Sequence, residues 1–111
     1  MAIHVLTFWQ YMAILIACHH IGDFAFQSAW MAMEKAKDKE VLVYHALTQA
    51  APFMLLVLVP GMHVTLQGLM LHVALHIFVD YLKGKGVIKK IWQDQACHHI
   101  CMLFEHLIGW L

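Results

Sequence analysis

Apolar positions fall into four long stretches along this 111-residue chain, parted by two lysine-bearing polar segments and one Pro-Gly turn. Residues 3–22 make a run of about the 20 residues that span a bilayer, interrupted by His4, Thr7, Gln10, His19 and His20. From 27 to 40 the chain turns polar, with Glu34, Lys35, Lys37, Asp38, Lys39 and Glu40 alternating in sign as on a solvated face, and a loop with some helix is expected. The second run, 41–59, contains Pro52 and ends at Pro60-Gly61, a strong turn signal. The third, 62–82, stops at Lys83-Gly-Lys-Gly86 and Lys89-Lys90, and the fourth, 91–111, carries Asp94, His98, His99, Glu105 and His106. The pattern predicts an all-α chain, one transmembrane domain over 1–111, folded as an integral membrane four-helix bundle with helices 3–22, 41–59, 62–82 and 91–111.

Composition sharpens that reading. The chain is 62% apolar and 13% charged, where a water-soluble domain carries roughly 25% charged residues. A small domain has proportionally more surface to cover, so lipid must cover it. Seven lysines, no arginine and seven acids give zero formal charge, which argues against a nucleic-acid partner. Cys18, Cys97 and Cys101 lie in apolar stretches and predict no disulfide. The start has no basic residue, so a removable signal peptide is not expected. Every lysine falls in the first or third connection. The positive-inside rule then puts those loops in the cytoplasm, with both termini and the Pro60-Gly61 turn on the other side.

Ten histidines are the compositional oddity, and ionisable groups at membrane depth usually mark function. His19 with Asp23, His76 with Asp80, and Asp94 with His98 share a four-residue spacing, which brings both side chains to one helix face. Asp23 ends the first helix, His45 begins the second, Asp80 ends the third and Asp94 begins the fourth. The lysine asymmetry sets all four places at the cytoplasmic end. His19, Asp23, His45, His76, Asp80, Asp94 and His98 are therefore expected in one layer as metal ligands. Seven donors exceed one zinc site, whereas two ions roughly 3.5–4 Å apart would use them. Mixed imidazole and carboxylate ligation suits zinc first, then manganese or iron. Asp23, Asp80 and Asp94 are the candidate catalytic carboxylates. Gln27 and Gln95 are candidates to orient a ligand or meet substrate, and Gly22 would let a neighbouring backbone come close. The bland reading is that the same residues bond one another simply to avoid lipid. His4, His20, His63, His99 and His106 are expected to be structural, and His72, a turn deeper than His76, is a lesser candidate ligand.

At His19-His-Ile-Gly-Asp-Phe24, Gln27, His45, His76-x3-Asp80 and Asp94-Gln-x2-His98 the chain resembles a family of small bacterial and phage membrane proteins known as domain of unknown function 3307. The resemblance spans almost the whole length and implies a bacterial inner-membrane location and these site residues, but no activity. The pattern is also similar to small membrane proteins regarded as metal-dependent hydrolases, an analogy that does not carry function.

These observations lead to a membrane-embedded divalent-metal protein that hydrolyses a lipid-like or phosphoester substrate at the cytoplasmic interface. Absence of arginine counts against phosphate recognition and leaves Lys83, Lys85, Lys89 and Lys90 as cationic substitutes. The alternatives are a non-enzymatic scaffold whose His/Asp layer is structural and whose lysine loops dock a partner, a haem bundle, and a proton or ion path. The last needs polar residues beyond the layer, where the sequence offers few besides Gln67, Glu105 and His106. Small four-helix chains often associate, so a homo-oligomer is compatible with the sequence.

Overall fold

Helix starts follow side-chain caps. Thr7 caps α1, Phe8–His20, in a reciprocal box with Gln10, in which the Gln10 N–H donates to Thr7 Oγ1 at 3.1 Å and the Thr7 N–H to Gln10 Oε1 at 2.9 Å. Ser28 caps α2, Ala29–Glu34, and Asp38 caps α3, Lys39–Leu55, which closes in a 3-10 turn at Leu56–Leu58. Thr65 caps α4, Leu66–Gly84, and α5 runs Ile91–Leu107. Gly86 and Gly109, both at positive φ, end α4 and α5 in the left-handed conformation that glycine adopts without a Cβ penalty. The computed structural model describes residues 5–111, so the expected start of the first helix at residue 3, and His4, lie outside the described residues. Among the described residues there is no strand, and the chain is all-α.

The four long helices close a ring in the order α1, α3, α4, α5: α3 packs on α4, α4 on α5, and α1 on both α3 and α5. Each connection joins ring neighbours, the up-down topology of simple bundles. At one end the Thr65 N–H and hydroxyl both donate to the Trp110 carbonyl, and residues 5–8 border the same hollow as Gly61, His63 and His106. The described start of the chain, the turn before α4 and the C-terminus thus share an end, and the lysine-bearing connections share the other. α2 lies within the polar segment and packs on α3.

Burial is inverted relative to a water-soluble domain. His19, Asp23, His45, Gln49, His72, His76, Asp80, Asp94, His98 and Glu105 are buried, whereas Trp9, Met54, Leu55, Leu58, Met70, Phe78, Ile100 and Phe104 stand exposed on the flanks. An apolar core of Tyr11, Met12, Leu15, Phe53, Leu56 and Met102 occupies the end nearer the termini, and Phe53, Leu15 and Met102 have no exposure at all. Among the described residues one helical stretch, Lys39–Leu58, is long and apolar enough by length and composition to cross a membrane, with mean hydropathy 1.7 over its best window. Four spanning helices were expected, the fourth from its packing rather than from its hydropathy. α5, at 17 residues, is also too short, and the His and carboxylate residues carried by α1, α4 and α5 lower their hydropathy while those helices turn them inward.

Candidate metal centre

The end of α1 departs from α-helical geometry where Asp23 sits. Ile21–Ala25 form a π turn, closed by the Phe26 N–H on the Ile21 carbonyl at 3.0 Å. Such turns insert one residue into a helix and recur at functional sites. Gly22 lies in this turn against α3, where a Cβ would collide with the Gln49 backbone carbonyl. That close approach brings Asp23 across to His45 on the second long helix, so the Asp23 carboxylate reaches further than the four-residue spacing from His19 implied. His19 Nε2 and Asp23 Oδ2 are 3.6 Å apart, whereas His45 Nε2 and Asp23 Oδ1 are 3.0 Å apart.

Four donor atoms from three segments, the π turn, α3 and α4, converge there: Asp23 Oδ1, His45 Nε2, His76 Nε2 and Asp80 Oδ2, all within 4.8 Å of one another. His45 Nε2 is 3.1 Å from His76 Nε2 and 3.2 Å from Asp80 Oδ2, and His76 Nε2 is 3.3 Å from Asp80 Oδ2 and 3.5 Å from Asp23 Oδ1. Zinc bonds of about 2.0–2.2 Å to nitrogen and oxygen place tetrahedral ligand atoms roughly 3.3–3.6 Å apart. Five of the six edges here, at 3.0–3.5 Å, lie close to that spacing. Two imidazole nitrogens aimed at each other and at two carboxylates are a poor hydrogen-bonding arrangement unless protons are added, and a natural one around a cation. The residues present therefore fit a divalent ion. His45 Nδ1 and His76 Nδ1, on the far sides of the rings, are buried without a protein hydrogen-bond partner.

A second group adjoins the first. His98 Nε2 is 3.3 Å from Asp80 Oδ1 and 3.3 Å from Asp94 Oδ1, so Asp80 shows one oxygen to His45 and His76 and the other to His98. Asp23, Asp94 and His98 also offer donor atoms within 4.8 Å of one another. A carboxylate shared between two groups is the bridging element of two-ion sites.

Hydrogen bonds fix the glutamine amides beside this layer. Gln95 Nε2 donates to Asp23 Oδ2 at 3.0 Å and to Asp94 Oδ2 at 3.1 Å, which turns its Oε1 toward His19 Nε2 at 2.9 Å. His19 Nε2 then donates, and His19 Nδ1 accepts from Gln49 Nε2 at 2.9 Å. Gln49 Oε1 in turn accepts from His72 Nε2 at 2.8 Å, and His72 Nδ1 is 3.2 Å from Glu105 Oε2. His19 thus lies in the expected layer, with both ring nitrogens engaged by glutamines. His72 bonds away from the layer, and a column of buried polar side chains continues to Glu105 where the sequence showed few.

All seven expected ligands are buried in one layer: His19, Asp23, His45, His76, Asp80, Asp94 and His98. Gln95 bonds two of its carboxylates, and Gln27 sits in the segment between the π turn and α2 with its Oε1 buried and unpartnered. Sequence reasoning missed two contributors. Gln49 lies one turn beyond His45 on the same face, a lone amide in an apolar run, which is a usable signal. Lys35 places Nζ 3.0 Å from Asp80 Oδ2 from a segment read as solvated, and no spacing rule points to it. Of the other histidines, His20 stacks on Phe24, His106 packs on Tyr11 and donates from Nδ1 to the Leu111 carbonyl, and the His63 N–H donates to the Tyr11 hydroxyl. The three cysteines are free.

Residues 11–110 match the family described as "Protein of unknown function (DUF3307)". The chain belongs to that family. Comparison with curated proteins and with solved structures gives no match in either. Family membership therefore carries no activity with it, and function rests on the site.

Proposed function

We propose that this DUF3307 protein is an integral membrane four-helix bundle that holds one or two divalent ions, zinc first and manganese or iron next, at its lysine-bearing end, and hydrolyses a lipid-like or phosphoester substrate there. The observation that carries the reading is the near-tetrahedral spacing of Asp23 Oδ1, His45 Nε2, His76 Nε2 and Asp80 Oδ2. Ligands drawn from three separate segments, each buried, favour a cation over incidental pairing.

The membrane part of the proposal rests on inverted burial and on the tryptophans. Trp9 and Trp110 are exposed at the end near the termini, and Trp30 and Trp92 at the lysine end. α5 rises about 22 Å from Trp92 to Leu107 at 1.5 Å per residue, and Trp110 lies just past that end, a span of the order of the roughly 30 Å hydrocarbon thickness. Tryptophan favours both membrane interfaces. In a bacterial inner membrane the lysine loops would then face the cytoplasm and both termini the opposite side.

A divalent ion at this place would supply a water of pKa near 7 and an electrophile for a phosphoryl or acyl oxygen. The chain's own part is to hold the two histidines and two carboxylates inward, to shut the site from lipid by the ring of helices, and, with a single ion bound, to leave Asp94 as proton acceptor. Asp94 suits that role because its Oδ1 lies 3.3 Å from His98 Nε2, beside the first group and not part of it.

The unpartnered Nδ1 atoms of His45 and His76 favour a second reading, since metal-bound histidines usually donate from the far nitrogen. On that reading the layer is structural and the protein is a non-enzymatic scaffold. Elemental analysis of detergent-purified protein, wild type beside His76→Ala and Asp80→Ala, separates the two. One or two equivalents of metal in the wild type, lost in both variants, supports the metal site and justifies a screen of phosphoester substrates. A wild type that holds none after being offered zinc, manganese and iron ends the hydrolase reading.

A further inference from the structure

Two lysines stand where a metal reading alone does not need them. Lys35 follows α2 and places Nζ 3.0 Å from Asp80 Oδ2 and 3.4 Å from His45 Nε2, with its side chain 11% exposed. Lys83, near the end of α4, places Nζ 3.4 Å from Asp94 Oδ2. Each ammonium is thus paired with a carboxylate of the metal layer. Both also line one cavity of about 270 Å³ beside Asp80, together with Gln27, Ala32 and Gly84. Gln27 Oε1 is buried there with no hydrogen-bond partner.

The geometry points to this cavity as a subsite for the terminal phosphate of a phosphate-monoester amphiphile, engaged by Lys35 and Lys83 once divalent ions have taken Asp80 and Asp94 from them. The inference rests on the metal reading above and adds the ligand class and the residues that select it. Without metal, three buried carboxylates, Asp23, Asp80 and Asp94, outnumber the two ammoniums, and the cavity repels an anion. Two divalent ions reverse the sign and leave an excess of three positive charges in a water-poor interior, where uncompensated charge is costly. A terminal phosphate carries about −1.5 to −2 at neutral pH, so together with a hydroxide it restores balance. A phosphodiester brings one negative charge and leaves the excess only partly met. Lysine, though less specific than arginine, is a point-charge phosphate binder with three donors. Gln27, with its amide turned over, presents an NH2 group to the same oxygens. Trp30 and Met33 stand exposed on α2, the helix whose Ala32 lines the cavity, and an apolar tail would lie against them.

The test uses the full chain in detergent, either stripped or charged with zinc, with the metal content of each sample measured. Inorganic phosphate is titrated by calorimetry into wild type, Lys35→Met, Lys83→Met and Lys35→Arg. The expected result is phosphate binding about tenfold or more tighter in the charged wild type than in the stripped protein, a matching loss in the two methionine variants at unchanged metal content, and recovery in Lys35→Arg. Equal binding with and without metal, or full phosphate affinity in the methionine variants, overturns the subsite and leaves the metal reading standing. A wild type with no metal overturns both. Competition by a micellar lipid phosphate monoester, set against glycerol phosphate and a lipid phosphodiester, tests the ligand class. The lipid monoester must displace phosphate best, and equal competition by glycerol phosphate would make a soluble phosphate the ligand instead.

Discussion

Gly22 of the π turn packs directly on the backbone of Gln49 in α3, with no room for a Cβ between them. This contact sets the distance between α1 and α3, and so decides whether Asp23 can stand 3.0 Å from His45. Gly22→Val should force the helices apart, at a cost of about 1–3 kcal/mol by overpacking. Thermal unfolding in detergent would fall, and metal content would fall with it. Val at Gly84, which meets only ordinary contacts with Ala36, is the control and should leave metal content unchanged.

Asp80 presents Oδ2 to His45 and His76 and Oδ1 to His98. If two ions share it, the histidines divide by stoichiometry. His98→Ala should reduce two equivalents of metal to one, His45→Ala should weaken the other site, and Asp80→Ala should abolish both. His20→Ala, outside both groups, should change nothing. Uniform loss of a single equivalent in His45→Ala and His98→Ala alike would instead indicate one ion held by the whole layer.

Gln49 is a junction: its amide satisfies His19 Nδ1 and His72 Nε2 at once. Gln49→Leu preserves size but strands two buried ring nitrogens, each worth about 1–3 kcal/mol. His72→Leu likewise strands two buried groups, Glu105 and one side of Gln49, so its destabilisation should be at least as large. Because His19 also holds Gln95 on Asp23 and Asp94, Gln49→Leu should lower metal affinity by about 10–100-fold, as loss of outer-shell partners does. Unfolding curves and competitive zinc titration read the two effects separately.

Much of the site was legible because it is written in helical spacing. The pairs at 19 and 23, 76 and 80, and 94 and 98 need only the i,i+4 rule, and the lysine asymmetry gave their common depth. His45 followed from its place at the start of an apolar run. What spacing could not give was contact between segments. Lys35 reaches Asp80 because α2 folds back over the end of the bundle, and nothing local in the polar segment encodes that return. The π turn escaped for a related reason: a one-residue insertion is set by the Gly22 approach to Gln49 rather than by the turn's own sequence. The polar column through Gln49, His72 and Glu105 was in the sequence, but its members lie on three different helices, 23 and 33 residues apart along the chain, and each alone reads as a stray polar residue. The four long helices fall on the four apolar runs, α2 is a fifth in the segment expected to be a loop with some helix, and Thr7, Ser28 and Thr65 set starts that apolar runs blur.

Sidedness gives the sharpest test of the membrane reading. Lys37 and His63 are both exposed and lie at opposite ends of the bundle. In a background with Cys18, Cys97 and Cys101 replaced by alanine, a single cysteine at position 37 or 63 can be probed in intact bacterial spheroplasts with a membrane-impermeant maleimide. The lysine asymmetry requires the His63→Cys protein to label and the Lys37→Cys protein to label only after lysis. Labelling of both before lysis would mean that the chain does not span. Labelling of the Lys37→Cys protein alone would invert the topology and put the His/Asp layer on the outer side. That reversal would leave the ligand geometry intact but move its substrate to the opposite leaflet. Only the expected pattern places the metal layer and the lysine cavity against the cytoplasmic leaflet, where the proposed phosphate monoester must be reached.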